Sequence, residues 1–255
     1  MKVYTLTTAV AFAAFAVAVS TTSEAVGGQA KTPVAQTVMN GAEDVSGIAV
    51  PDTELARDAA RLIRESEGEL LFQHSVRVYY WAALAAKRKG LRVDPELLYV
   101  AAMFHDFGLA ESYGESHRRF EVDGANAARD FLRRHAIPEA DAEKVWFAIA
   151  LHTTNGISPN LFPVAALLAE GANMDLVGAG YNEFTAAERN AIEAAHPHPA
   201  GFADDFMQAV YEGLKHRPET TQGTGLADVM AYKDPNFRRR DFSYLMRNSP
   251  WATKR

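Results

Sequence analysis

Asp94-Pro95-Glu96-Leu97-Leu98-Tyr99-Val100-Ala101-Ala102-Met103-Phe104-His105-Asp106-Phe107-Gly108-Leu109 opens as a helix and closes on two metal-type side chains. Asp94 suits an N-cap, Pro95 sits in the first turn where its missing amide proton costs nothing, and Glu96 favours the positive end of the helix dipole. The helix should end near Gly108. His105 shares the inner face with Leu98 and Ala101, and Asp106 follows it next to the stop.

The same reading extends in both directions. Asp52 to Glu67 and Leu70 to Lys89 have helical spacing, and Gly90 is a usual C-terminal stop. Further helices are expected at about 118–135, 139–151, 159–175, 185–195 and 201–216, and the pattern weakens beyond Arg217. No run alternates as a strand would. The expectation is therefore an all-α bundle over residues 51–230, followed by a basic C-terminal segment, 231–255. That segment holds Arg238, Arg239, Arg240, Arg247, Lys254 and Arg255 and reads as a solvated tail or a homo-oligomer contact.

The first fifty residues have a different character. Lys2 precedes an apolar run from Ala9 to Val19 and then a small polar stretch, the layout of a signal peptide over residues 1–25. Cleavage is expected after Ala25, with Ala30 as a second candidate, and the product would be exported. The run falls well short of the roughly 20 residues that span a bilayer, which argues against an integral membrane protein. Residues 26–50, rich in small residues without an apolar period, read as a flexible tail.

Composition narrows the chemistry. The 255 residues are 48% hydrophobic and 23% charged, as expected of a globular chain. With 32 acidic against 26 basic residues the net charge is −6, the wrong sign for a nucleic-acid partner. There is no cysteine, so thiolate metal sites, disulfides and cysteine nucleophiles are excluded. Any metal must sit on nitrogen and oxygen, which directs attention to the eight histidines.

Three more helices aim such residues at the core. His74 shares its face with Leu70, Val78, Trp81 and Ala85; Asp175 follows Val164, Leu168 and Gly171; His152 follows Val145 and Ile149. A buried unpaired carboxylate costs several kcal/mol. The basic residues of these helices, Arg77 among them, mostly fall on other faces, so a divalent cation is the expected neutraliser. Zinc, iron, manganese and nickel all suit imidazole with carboxylate. His196-Pro197-His198-Pro199 is kept out of a helix by its prolines and reads as a surface loop.

A histidine on one helix, a His-Asp pair on the next and a later aspartate resembles the HD-domain metal-dependent hydrolase superfamily. The text around these residues is similar to its cyanamide hydratase-like branch: Leu71-Phe72-Gln73-His74-Ser75-Val76-Arg77-Val78, the Ala102 to Leu109 segment, Arg119-Phe120-Glu121-Val122-Asp123-Gly124-Ala125 and Leu151-His152-Thr153-Thr154-Asn155-Gly156-Ile157. The resemblance spans about Ala60 to Asp228. It implies that His74, His105, Asp106 and Asp175 bind one divalent metal, zinc in the hydratase-like members, and that metal-activated water attacks a small-molecule substrate. Asp106 would manage the proton of that water, His152 would transfer a proton or orient substrate, and Phe107, Thr153 and Asn155 would line the substrate site.

Many phosphate-cleaving members carry a lysine three residues after the Asp. Here Leu109 stands there. Its absence favours a small neutral substrate such as cyanamide or another nitrile-like compound. His117-Arg118-Arg119 keeps open the alternative of a phosphohydrolase on a nucleotide or phosphomonoester, and a ligand-sensing domain without activity is the third reading.

Overall fold

In the computed structural model, which describes residues 44–252, the Thr53 hydroxyl accepts the Ala56 amide at 3.2 Å and starts helix α1 (Glu54–Lys89). The two helices expected here are both present as the halves of α1, which meet at a break at Gly68, whose φ of 77° and ψ of 171° are non-helical backbone that glycine adopts without a steric penalty. Beyond the bend nearly every residue from Leu71 to Ala86 is buried, so this half of α1 runs through the interior.

Helix α2 (Pro95–Phe104) starts as the sequence indicates, with the Asp94 carboxylate accepting the Glu96 and Leu97 amides at 2.8 and 3.3 Å. All its residues from Leu97 onward are buried. It ends at Phe104, earlier than expected, and a 3-10 turn covers Phe107–Leu109. The reason is Gly108: a β-carbon there would lie 2.0 Å from the Phe120 carbonyl oxygen, because the next helix begins directly against the turn.

Helices α3 (Phe120–Arg134) and α4 (Glu139–Leu151) pack as an antiparallel pair, and α5 (Pro163–Val177) lies along α1. At the crossing, a β-carbon on Gly171 would approach the Val78 carbonyl oxygen to 2.5 Å, so only glycine permits this approach. One turn further along α5 is Asp175. Helix α6 (Ala186–Ala195) begins with a capping box of Thr185 and Glu188.

Helix α7 (Phe202–Leu214) and helix α8 (Leu226–Lys233) cover the site end of the bundle. They form a second apolar cluster in which Phe206, Val210, Leu214 and Met230 meet Leu71, Leu109 and Phe120. Burying each such side chain contributes about 1.5–3 kcal/mol. Arg217, fully buried, pins this layer: its guanidinium donates to the Gly108 carbonyl oxygen and to the Asp123 carboxylate, both at 2.5 Å, and to the Arg118 carbonyl oxygen at 2.9 Å. A short exposed helix, α9 (Phe242–Arg247), follows in the basic C-terminal segment.

The all-α reading holds for the core. One addition lies within the span expected to be a tail: strands β1 (Asp44–Val45) and β2 (Ile48–Ala49) pair as a small antiparallel hairpin, Val45 is buried, and the Tyr79 hydroxyl donates to the Ala49 carbonyl oxygen at 2.9 Å. The expected signal peptide over residues 1–25 lies outside the described residues. Among the described residues no helix is long and apolar enough to cross a membrane.

Candidate metal centre

Three imidazoles converge from three helices, and each is held by its Nδ1. His105, at the end of α2, donates from Nδ1 to the Ala102 carbonyl oxygen at 2.7 Å, and His152, at the end of α4, donates to the Ile149 carbonyl oxygen at 2.7 Å. His74, in the buried half of α1, places Nδ1 2.7 Å from Asp175 Oδ2. Carbonyl and carboxylate oxygens only accept, so in each ring the proton is on Nδ1 and the Nε2 lone pair is free. Those lone pairs turn towards Asp106. His74 Nε2 and His105 Nε2 are 3.2 Å apart, at 3.6 and 3.3 Å from Asp106 Oδ2, and His152 Nε2 is 3.8 Å from Asp106 Oδ1.

Two unprotonated nitrogens in contact, facing a carboxylate oxygen, repel one another unless a cation sits between them. Asp106 Oδ2 is buried and has no hydrogen-bond partner. His74, His105 and Asp106 each offer one ligand atom within 4.8 Å of the others, and all three are buried. This N, N, O set fits a divalent metal such as zinc, iron, manganese or nickel. Burial pushes the Asp106 carboxyl up from its ordinary value, against the pull of His74 and His152. Burial, then the charge of His74, pushes His105 down to about 3, and burial, then the charge of His105, also lowers His152. Both effects keep these imidazoles neutral at physiological pH, as ligation requires.

Asp175 departs from the expectation. It is not gathered with the three ligands but stands behind His74, on the Nδ1 side of the ring, with both its oxygens occupied. Oδ1 accepts from Arg77 Nε at 2.8 Å and Trp81 Nε1 at 3.0 Å and lies 3.3 Å from His198 Nε2; Oδ2 accepts from His74 Nδ1 and from Arg77 NH2 at 3.0 Å. Burial alone would raise this carboxyl, but the hydrogen bonds from His198 and His74 and the Arg77 charge hold it far below the usual range. Arg77 is therefore the inward cation that helical spacing placed on another face; it is fully buried. Arg77 follows His74 by three residues, a same-face step that the face drawn through Leu70, Val78, Trp81 and Ala85 leaves out. His198, expected on a surface loop, folds back to the same carboxylate and also holds Glu193 at 2.8 Å.

A pocket of about 400 Å³ lies against Asp106. His105, Asp106, His152, Thr153 and Asn155 form its polar end, while Leu109, Phe120 and residues of α7 and α8 form its walls. Among the described lining residues there is no lysine and no arginine. Thr153 is at the site as expected, but its hydroxyl donates to the buried carboxylate of Glu121 and accepts from Arg119 at 3.1 Å. Arg119 pairs with Glu121 at 2.7 Å, which offsets its charge beside Thr153. Burial raises the Glu121 carboxyl, and Arg119, His152 and Thr153 together bring it below its ordinary value. Phe107 is displaced from its expected role: it is buried against Phe104 and Tyr113, with ring centroids at 5.4 and 5.7 Å, and does not line the pocket.

No curated protein matches this chain. Residues 71–184 match the family model described as HD domain, and the His-His-Asp cluster lies inside that span.

Proposed function

We propose that this protein is a metal-dependent hydratase or hydrolase, related to the cyanamide hydratase-like branch, that adds water to a carbon–nitrogen multiple bond of a neutral substrate. The observation that carries this reading is the composition of the pocket end: two neutral imidazoles and an unpartnered Asp106 oxygen, with no cationic side chain to meet a phosphate. Phosphoryl transfer needs positive charge where negative charge develops. The guanidinium of Arg119, beside Thr153, is paired with Glu121.

His74, His105 and Asp106 would hold the cation, zinc by family likeness. When bound it lowers the pKa of water at the site towards about 7. Asp106, whose burial raises its proton affinity, takes the proton of the attacking water. The oxygen bonds to carbon, a carbon–nitrogen π bond breaks, and the nitrogen takes up a proton. His152, its ring fixed by Ile149 from the other side, takes that proton from Asp106 on its free Nε2 and passes it to the nitrogen. Asn155, at the polar end, orients the nitrogen by hydrogen bonding. Asp175 orients His74 and raises its basicity, the usual duty of a carboxylate behind a ligating histidine. The signal-peptide layout of residues 1–25 supports an exported activity.

The test is to incubate the metal-loaded protein with cyanamide and small nitriles, and separately with nucleoside monophosphates. Urea or amide release that disappears in His105→Ala supports the reading. Orthophosphate release lost in the same variant, with cyanamide untouched, overturns it.

A further inference from the structure

We infer that the substrate carries an apolar body several carbons long, seated against α7 and α8, and that Phe202, Phe206, Met207, Val210, Leu226 and Val229 set its length. The inference rests on the proposed reaction for the reacting end alone. Cyanamide has three heavy atoms, whereas a pocket of about 400 Å³ lies in the range that encloses ligands of drug size. A three-atom molecule at Asp106 would leave most of that volume as water against hydrocarbon walls.

The lining divides into two kinds of residue. His105, Asp106 and His152 supply the chemistry. Phe206 begins the apolar wall beside them, its ring centroid 4.9 Å from that of His74, and α7 continues it with Phe202, Met207 and Val210; Phe206, Met207 and Val210 follow Phe202 by four, five and eight residues, which places the four along one side of the helix. Leu226 and Val229 of α8 extend the same wall. The mouth is apolar too, since Leu176 and Val177 line the pocket while remaining 40% and 73% exposed.

The wall also comes from a separate part of the chain. The HD-domain match ends at residue 184, and all six wall residues lie beyond it. The ligands thus belong to the family span and the selectivity to a C-terminal layer that Arg217 fastens over it.

Neutral primary amides, the hydration products of nitriles, test this without turnover. Calorimetric Kd values for acetamide, butyramide and hexanamide, measured on the metal-loaded full chain, should fall about fourfold for each methylene buried. The same slope should persist in His105→Ala, because the apolar end does not depend on the metal. Met207→Trp and Val229→Phe, both at part-exposed positions, should flatten the slope while the melting temperature reports an intact fold. A flat amide series in the wild type overturns the inference even if small nitriles are hydrated. A slope unaffected by both fillings overturns the assignment to this wall. A steep series that both fillings flatten supports the inference even where no nitrile turns over, and in that case the proposed reaction alone fails.

Discussion

His74 Nδ1 lies 2.7 Å from Asp175 Oδ2, and this contact decides which face of the imidazole meets the metal centre. Asp175 accepts the Nδ1 proton, so Nε2 carries the lone pair and points at His105 and Asp106. The carboxylate is held by Arg77, Trp81 and His198, residues of α1 and of the loop after α6, and α5 reaches this position because Gly171 lets it approach Val78. One residue expected as a ligand thus acts as the orienter of another.

Asp175→Asn keeps the shape but removes the charge that fixes the His74 tautomer. Loss of a carboxylate behind a metal-binding histidine costs roughly 10–100-fold in metal affinity. Competition with a chelator on folded protein should show that fall with the stoichiometry unchanged. Unaltered affinity would refute the orienting role, and complete loss of binding would return Asp175 to the ligand set.

Metal binding should also appear as stability. A cation at 100 times its Kd adds about 2.7 kcal/mol through preferential binding to the folded state. Thermal unfolding before and after chelation should differ accordingly, and His105→Ala should remove the difference. Equal melting temperatures for loaded and chelated wild type would count against the centre.

Arg217→Met leaves the buried Asp123 carboxylate with only the exposed Arg118 guanidinium at 3.7 Å and frees two carbonyl oxygens. Breaking a buried pair from one side typically costs about 3–5 kcal/mol. Denaturant unfolding should show a loss of this size, with α7 and α8 becoming the first segments cut by protease. A change below about 1 kcal/mol would mean that the apolar cluster alone fastens this layer.

What could be read from the chain depended on whether neighbours in space were neighbours in sequence. Helix α4 matches its expected span, and α6 and α7 lie within a residue or two of theirs, because caps and apolar period are local signals. His74, His105 and Asp106 were recognisable because each lies on an apolar stripe or directly beside one. Arg77 and Arg217 were not: a buried arginine is compensated by partners roughly 100 residues away, Asp175 in one case and Gly108 in the other, and no local spacing records that. The position of Phe107 depended on where α2 stops, which the tight passage of Phe120 over Gly108 dictates.

Glu67 carries the last prediction. It precedes the bend at Gly68, and although the residue is part-exposed, both carboxylate oxygens are buried and neither has a hydrogen-bond partner. Burial, then the charge of Asp106, holds its carboxyl well above the ordinary value near 4.5. The folded state therefore keeps this proton over a pH range where the unfolded chain has released it. Between the unfolded and folded pKa values the folded form binds more protons, so stability falls as pH rises, by at most about 1.4 kcal/mol per pH unit for one group. Glu67→Gln removes the titration. Denaturant unfolding of the chelated proteins at pH 4, 6 and 8 should show the variant gaining on the wild type as pH increases, by an amount on the order of 1–3 kcal/mol for one buried group left unpaired. A gain that is constant across the three pH values, or that shrinks as pH rises, would show that Glu67 keeps an ordinary carboxyl in the folded protein.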